Sequence, residues 1–357
     1  MDDRARSLAE TTLALCGIAS VTGHERAIAD ELERRARSLG ASVRRVGESV
    51  VAEIGSGATV ALFGHSDTVK PASDQPLELR DGRVYGCGAS DMKGGLAVML
   101  ALLADAKAGL FPGVRLRCVF YDREEGPASE SGILPLLDGE EAVDRGVELA
   151  LCLEPTDNRV EAGCVGGLHA RVSFLGQRAH SARPWQGKNA IYEAIALLTT
   201  LRDRPRRAVE IDGLTFYEVV NATMASTENS RNVVPDRFVL NLNMRYAPGR
   251  SDADAIAELR AMIPSGAGVE IIDVATSGAV RLDEPRLRAW IARNAVTVEA
   301  KQAWTDVARL AGRGVAAVNF GPGNTAEAHQ ARESISVELL AAHHLLLRDL
   351  LTVGEKP

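Results

Sequence analysis

Short apolar runs that each lead into His, Asp or Glu most constrain how this chain of 357 residues can fold. Four such runs stand in the sequence: residues 60–63 before His65 and Asp67, 114–121 before Glu124 and Glu125, 149–153 before Glu154, and 315–320 ahead of His329. Runs of this length between helical segments predict β-α-β units with a largely parallel sheet. Because parallel strands end at the same edge of a sheet, we expect these side chains to converge in one crevice.

The residue types in this series suit a pair of divalent cations. Zn²⁺ accepts imidazole and carboxylate ligands together, and two neighbouring ions need two His, one shared carboxylate and two further carboxylates. Asp91, at the start of a predicted helix, extends the series. A carboxylate left over beside the ions can act as a general base. A single His after a strand is usually a hydrogen-bonded surface residue, so the prediction depends on the whole set.

Two other catalytic patterns are incomplete in this chain. The segment around Ser66 resembles a Gly-x-Ser-x-Gly nucleophile elbow, but Thr68 stands where the last glycine belongs. The glycines before Asp91 begin like a dinucleotide-binding fingerprint, but Asp91 occupies the place of its third glycine. We therefore expect neither a serine nucleophile nor a dinucleotide cofactor.

Composition restricts the class of protein further. A formal net charge of −7 and the lack of a long Lys/Arg run offer no surface for nucleic acid. No apolar stretch approaches the roughly 20 residues that a membrane-spanning helix needs, and the charged N-terminus lacks the apolar core of a signal peptide. The five cysteines form no Cys-x-x-Cys pair and are predicted to be free thiols, as is usual in a reducing compartment. We therefore expect a cytoplasmic protein without a membrane or nucleic-acid partner.

The middle of the chain has a different pattern from its two ends. The order strand, helix, strand, strand, helix, strand predicts a ferredoxin-like α+β sandwich inserted into the α/β domain. The predicted ranges are 168–175, 189–202, 217–224, 237–246, 252–262 and 269–274. A chain of 357 residues is also long for a single core. We predict a catalytic domain formed by residues 1–166 and 276–357, and an inserted domain formed by residues 167–275.

Taken in order, the polar segments resemble those of one family. GHSDTV, GCGASDMKGG, EEG, LEPT, AHSARPWQGKNA, NMRYAPG, WTDVARL, NFGPG and AHxxxE are similar, nearly end to end, to segments of the M20 family of co-catalytic metallo-aminoacylases and peptidases. The resemblance implies a zinc-peptidase-like catalytic domain with a mixed or parallel sheet, and an inserted lid through which two chains form a homodimer. It also implies two Zn²⁺ ions per subunit, with Co²⁺ as an alternative, because such sites accept other divalent ions.

The resemblance also implies a role for each residue of the series. Two metal sites share one bridging carboxylate: His65, Asp91 and Glu154 form the first site, and Asp91, Glu125 and His329 form the second. Glu124 is then the general base, and Asp67 would hydrogen-bond His65 and orient its imidazole. His180 of the AHSARP segment would donate to the oxyanion, and in this family it commonly comes from the other subunit. The resemblance places Arg245 and Asn232 at the anionic end of the substrate. Gly323, Asn324 and Thr305 are further candidates, because they belong to the loops expected to flank the metals.

One branch of the family is most similar to this chain. VEAGC, RAHSARPW, VEIDG, NVVPD, RYAPGRS and WTDV…AVNFGPG resemble the actinobacterial-type succinyl-diaminopimelate desuccinylases. This implies hydrolysis of N-succinyl-LL-2,6-diaminopimelate, an anionic N-acyl amino acid of lysine biosynthesis. The segment GCVGGL departs from the Arg-rich turn of the proteobacterial enzymes, so their substrate contacts do not carry over.

Other functions stay open at this point. An acetylornithine deacetylase, an aminoacylase, a dipeptidase or a carboxypeptidase would use the same metals and base on another substrate. A more distant alternative is a non-catalytic binding protein with the same fold. The complete set of metal ligands together with Glu124 argues against that last alternative.

Overall fold

The computed structural model describes residues 2–352. Its helices are α1 Asp3–Cys16, α2 Arg26–Ser38, α3 Gly94–Lys107, α4 Ile133–Asp138, α5 Ala190–Glu193, α6 Ile195–Asp203, α7 Asp252–Met262, α8 Pro285–Asn294, α9 Val307–Gly312 and α10 Val337–Thr352. Its strands are β1 Ser42–Val46, β2 Ser49–Gly55, β3 Ala58–His65, β4 Glu78–Arg80, β5 Arg83–Tyr85, β6 Val114–Tyr121, β7 Val147–Cys152, β8 Val160–Ala162, β9 Gly166–Leu175, β10 Ala179–His180, β11 Arg207–Ile211, β12 Leu214–Ser226, β13 Val233–Val234, β14 Arg237–Tyr246, β15 Gly268–Ala275, β16 Val298–Ala300, β17 Ala316–Asn319 and β18 Ser334–Ser336.

The chain divides into two compact units, each with its own sheet. The described residues of Met1–Ala162, Arg281–Glu299 and Arg309–Pro357 form the first unit. Gly163–Val280 and Ala300–Ala308 form the second. The second unit is therefore an insertion in the chain of the first.

The sheet of the first unit has eight strands in the order β1-β2-β6-β3-β7-β17-β8-β16. Its central strands β6, β3, β7 and β17 run parallel, whereas β1, β2 and β8 pair antiparallel with their neighbours. β3 is buried from its second residue to its last, as expected for a strand covered on both faces. The sheet is mixed, and its parallel centre is formed by the apolar runs that predicted it.

Helix α3 packs closely on this sheet next to the end of β3. Nine of its residues are buried, so its sequence is apolar on all sides rather than along one stripe. The contact requires a glycine on the strand, because a Cβ added at Gly64 would lie 2.6 Å from Leu96 Cδ2 and 2.7 Å from Met92 Cε. The turn that precedes α3 is thereby held beside His65.

The second unit has the ferredoxin-like fold that the sequence predicts. Its strands are ordered β11-β12-β14-β9-β15, and every pair in this sheet is antiparallel. Alternate residues of β9 and β14 are buried, and they form a core with the inner faces of α5, α6 and α7. The predicted helix over residues 189–202 is two helices, α5 and α6, because the helix is interrupted at Ala194 between them.

None of the helices within residues 2–352 combines the length and the apolar character that crossing a membrane requires.

Candidate metal centre

Three parallel strands bring ligand-type side chains to one edge of the first unit's sheet. His65 is the last residue of β3 and lies opposite Tyr121, the last residue of β6. Glu124 and Glu125 follow β6 after a short turn, and Glu154 lies two residues beyond β7. The carboxyl ends of adjacent parallel strands are neighbours in space, so the sheet itself determines that these side chains meet.

Two further side chains reach the same place from loops. Asp91 lies in the segment Ala89–Lys93, directly before α3, and its own backbone is not helical. His329 lies in the segment between β17 and β18, where its backbone has a φ of 61°. A positive φ is uncommon for a residue with a side chain, which shows that this loop holds His329 in a restricted conformation.

The side chains form two groups that share Asp91. Ligand atoms of His65, Asp91 and Glu154 lie within 4.8 Å of one another, and so do those of Asp91, Glu125 and His329. Asp91 Oδ1 lies 3.1 Å from His65 Nε2, whereas Asp91 Oδ2 lies 3.7 Å from His329 Nε2. One carboxylate therefore presents a different oxygen to each imidazole, which is the arrangement of a bridging ligand.

Glu124 adjoins the cluster without belonging to either of those groups. Its carboxylate lies within 4.8 Å of ligand atoms of His65 and Glu125. Glu125 also contacts His329, with 2.7 Å between Oε1 and Nε2. Both glutamate carboxylates thus lie near His65, and Glu125 in addition contacts His329.

Asp67 holds the segment that carries the two glutamates. Its fully buried carboxylate accepts hydrogen bonds from the backbone N–H of Glu124 at 2.9 Å and of Glu125 at 3.1 Å. Burial opposes ionisation of Asp67, but His65 and these donors together keep its pKa below the ordinary value. The carboxylate oxygen lies 3.6 Å from His65 Nδ1, while the main-chain oxygen of Asp67 lies at 3.0 Å. At these distances the carbonyl is the hydrogen-bond partner of the imidazole.

The sequence patterns do not predict the contacts of two residues that support the site, Thr22 and Glu333. The spacing of Thr22 and Glu25 is that of a capping box, but the Thr22 hydroxyl donates to Asp67 Oδ2 at 2.8 Å. Glu333 is buried, and its carboxylate accepts the backbone N–H groups of Gly88, Ser90 and Asp91, each at 2.9 Å. Its only signal in the sequence is its position four residues after His329, in AHxxxE.

Negative charge is concentrated in this cluster. Burial raises the pKa of Glu125, and repulsion from Asp91 raises it further although both imidazoles oppose the shift. Burial disfavours the charged form of His65, yet Asp67 and Asp91 hold its pKa well above the usual value. Both shifts are those expected where carboxylates outnumber cations. The donor set therefore fits a pair of divalent cations, which would neutralise the excess negative charge.

Gly323 and Asn324 lie against the turn that carries Asp91. Asn324 N donates to Ser90 Oγ at 2.8 Å, and Ser90 Oγ donates to Asn324 O at 2.9 Å. A Cβ at Gly323 would collide with Ser90 O. The Asn324 side chain accepts from Ala326 N, so these two residues serve the loop itself in this structure.

The other predicted substrate residues belong to the second unit. His180 is exposed on β10, and its Nδ1 accepts from Ala182 N at 3.0 Å. Asn232 is held beside it, because Ser181 N donates to Asn232 O at 2.9 Å. Thr305, in contrast, is buried in that unit and accepts from the Cys164 thiol through its carbonyl.

Arg245 is a half-buried cation on the open face of the second unit's sheet. Burial lowers its pKa, and its Nη1 lies close above Gly167 of β9, 2.9 Å from where a Cβ would stand. Among residues 2–352 its guanidinium forms no hydrogen bond or ion pair with a side chain. A half-buried guanidinium of this kind is suited to binding an anionic group.

A mixed α/β sheet with a carboxylate shared between two His-containing groups at its edge defines the class of two-metal hydrolases. The chain belongs to peptidase family M20/M25/M40, and the sequence model of that family matches residues 61–352. It is 34% identical to the succinyl-diaminopimelate desuccinylase of Corynebacterium glutamicum, covering 96% of this chain and 95% of that protein. It is 38% identical to a Mycobacterium tuberculosis protein that is provisionally named succinyl-diaminopimelate desuccinylase DapE, covering 96% of this chain and 97% of the relative.

Solved structures share the fold at low sequence identity. A tripeptidase from Staphylococcus aureus superposes with a TM-score of 0.80 at 19% identity, covering 98% of both chains. An M20 family metallo-carboxypeptidase from Sulfolobus solfataricus gives a TM-score of 0.74 at 17% identity, covering 99% of both chains. The predicted fold class, a zinc-peptidase-like domain with an inserted α+β domain, is confirmed.

Proposed function

We propose that this protein hydrolyses N-succinyl-LL-2,6-diaminopimelate to succinate and LL-2,6-diaminopimelate, with two Zn²⁺ ions per subunit or Co²⁺ in their place. The observation that carries the proposal is the similarity to desuccinylases over nearly the whole chain, in a protein whose ligand-type side chains form two groups around Asp91. His65, Asp91 and Glu154 would hold one ion, and Asp91, Glu125 and His329 the other. When bound, such a pair of ions polarises a carbonyl and lowers the pKa of water.

Glu124 is the residue of this chain that moves the proton. Its carboxylate accepts a proton from the attacking water as the oxygen bonds to the amide carbon. It then returns that proton to the amide nitrogen, so that the C–N bond breaks and a neutral amine leaves. Asp67 fixes the backbone of Glu124 through a 2.9 Å hydrogen bond, which limits the positions that the base can adopt.

His180 is suited to stabilise the oxyanion that forms on the carbonyl oxygen. Because its Nδ1 accepts a hydrogen bond from Ala182 N, the neutral ring carries its proton on Nε2. That N–H is available as a donor, since His180 is exposed. A donor directed at the oxyanion typically contributes 10²–10³-fold to the rate.

Arg245 and Asn232 are the side chains we propose for binding the anionic end of the substrate. Arg245 supplies a cation without a carboxylate partner in the part of the chain described here. Asn232 is exposed, and the pairing of β10 with β13 holds it next to His180. A carboxylate of the substrate would thus be bound on the same unit as the oxyanion donor.

We also propose that two chains associate through the second unit. Strand β12 pairs with β14 along one side, but β11 covers its other side only at residues 214–218. The rest of that edge is open, and Met224 on it is 71% exposed. Trp185 and Tyr192 of the same unit are also largely exposed. Open strand edges and exposed aromatic residues are features of interaction surfaces.

A panel of substrates tests the proposed reaction. Zinc-loaded protein is expected to show a higher kcat/KM for N-succinyl-LL-2,6-diaminopimelate than for N-acetylornithine or simple dipeptides. A strong preference for either of the other two would assign the protein to another activity of the same family.

A further inference from the structure

A cleft rich in arginine lies on the first unit, among strands β1, β2 and β6 and the segment 141–145. It encloses about 520 Å³ and is lined by four guanidinium groups and two carboxylates, those of Arg44, Arg115, Arg117, Arg145, Glu53 and Glu141. The whole chain has a net charge of −7, so this cleft is a positively charged region on a protein whose net charge is negative. The volume is within the range of sites for small molecules.

The strand pairing puts three of these side chains on one face of the sheet. Glu53 of β2 is opposite Arg117 of β6, and Arg115 lies two residues earlier on the same strand. Residues two apart on a strand project to the same face. Gly55 stands opposite Arg115, so no side chain fills the space next to that arginine on its antiparallel neighbour.

Two of the arginines build the wall of the cleft. The buried Arg117 pairs with Glu53, and its Nη1 donates to Val143 O at 2.6 Å and to Arg145 O at 3.1 Å. Arg44 donates to Glu141 O at 2.5 Å. These bonds fasten the segment 141–145 to the sheet, so the cleft has a fixed shape and contains a largely buried guanidinium.

The other two arginines have no such structural role. Arg115 and Arg145 are exposed, and within residues 2–352 neither side chain forms a hydrogen bond or an ion pair. The charge of Arg117 is compensated by Glu53, and the exposed Glu141 only partly offsets that of Arg44, at 3.5 Å. The uncompensated positive charge therefore belongs mainly to the two arginines that the fold does not use.

We propose that this cleft binds a small organic or inorganic polyanion through Arg115 and Arg145. Guanidinium groups bind carboxylate and phosphate through paired charge-assisted hydrogen bonds. The ligand class is a compact molecule with two or three negative charges, either carboxylates or phosphate. The cleft lies at the beginning of β6, whereas the catalytic glutamates follow the end of that strand.

Isothermal titration of the metal-loaded protein with tricarballylate and with inorganic phosphate, at low ionic strength, tests this proposal. The two probes distinguish a carboxylate from a phosphate ligand. At least one is expected to bind saturably, and the double variant Arg115→Ala/Arg145→Ala is expected to bind it at least about tenfold more weakly, because charge-assisted bonds are lost. The matched control is Arg26→Ala/Arg288→Ala, which removes two exposed arginines of the same unit.

The outcomes are distinct. Unchanged affinity in the control, together with the loss in the Arg115/Arg145 variant, supports the site. Equal affinity in the wild type and the Arg115/Arg145 variant would show that the probes bind only elsewhere, including at the metals, and would overturn it. An equal loss in the control, or the absence of saturable binding of both probes to the wild type, would also overturn it.

Discussion

At the scale of single residues, the buried His343 makes the free energy of unfolding depend on pH. Within residues 2–352 neither ring nitrogen has a hydrogen-bond partner, and the ring lies 4.5 Å from that of Phe320. Burial, with a smaller effect of His344, lowers its pKa to about 3. The unfolded chain takes up this proton below a pH of about 6.5, whereas the folded chain does not until about pH 3.

The free energy of unfolding should therefore fall as the pH drops below about 6.5, by up to about 1.4 kcal/mol per pH unit from this residue. His343→Leu is expected to flatten that slope, because the unfolded variant no longer gains a proton there. Urea unfolding at a series of pH values between about 4 and 7 measures both slopes. If plots of the free energy of unfolding against pH were parallel for the wild type and His343→Leu, His343 would not contribute to this pH dependence.

The residues of the candidate centre differ in how far the sequence predicts them. His65, Asp91 and Glu154 are identifiable because each follows an apolar run or opens a helix. Glu333 is not, because a glutamate that accepts backbone N–H groups has no local pattern of its own. Thr22 suggests a helix cap, and only the fold reveals that its hydroxyl donates to Asp67.

At the scale of elements, the turn before α3 depends on Glu333. Glu333→Gln is expected to weaken metal binding by about 10–100-fold, because the amide replaces one of the two oxygens that accept the backbone N–H groups around Asp91. Competition with a chelator measures the affinity, and KM for the substrate should change little. Glu327→Gln, nearby in the same loop but bonded to Arg83 and Ser334, is the matched control. Equal metal affinity in Glu333→Gln and the wild type would exclude this positioning role.

The open edge of β12 carries a second prediction at this scale. Met224→Glu places a charge on that edge and should raise the dissociation constant of a dimer at least about tenfold, since burying an unpaired charge is unfavourable. Leu345→Glu changes a similarly exposed apolar residue of the first unit and should leave association unchanged. Sedimentation equilibrium compares both variants with the wild type. A wild type that stays monomeric at all concentrations, or equal dissociation constants for the two variants, would refute an interface at this edge.

Regular elements follow from the sequence more closely than irregular ones. β14 and α7 occupy the ranges that alternation and helical periodicity predict, Arg237–Tyr246 and Asp252–Met262. No glycine or proline stands at the interruption of the helix at Ala194, so the sequence does not predict it. The antiparallel edges of the large sheet do not follow from the strand patterns, and only the family resemblance implies that the sheet can be mixed. Pairing direction depends on connections between strands rather than on the composition of any one strand.

At the scale of the whole molecule, the sequence and the structure contribute different parts of the account. The order of apolar and polar segments predicts both the sheet and the inserted unit. The sharing of Asp91 between the two imidazoles, with one oxygen toward each, is visible only in three dimensions. The substrate contacts that we propose for Arg245 and Asn232 lie in the second unit, and local sequence patterns give no geometry for them.

We propose a two-metal centre, with Glu124 as the base, that removes succinate from the substrate. Succinate release from N-succinyl-LL-2,6-diaminopimelate, measured for the wild type and Glu124→Gln together with the metal content of each protein, tests it most directly. We predict two metal ions per chain in both proteins, and a turnover that falls by about 10²–10⁴-fold in the variant because general base catalysis is lost. Wild-type turnover in Glu124→Gln, or a single metal ion per chain in the active wild type, would contradict the account.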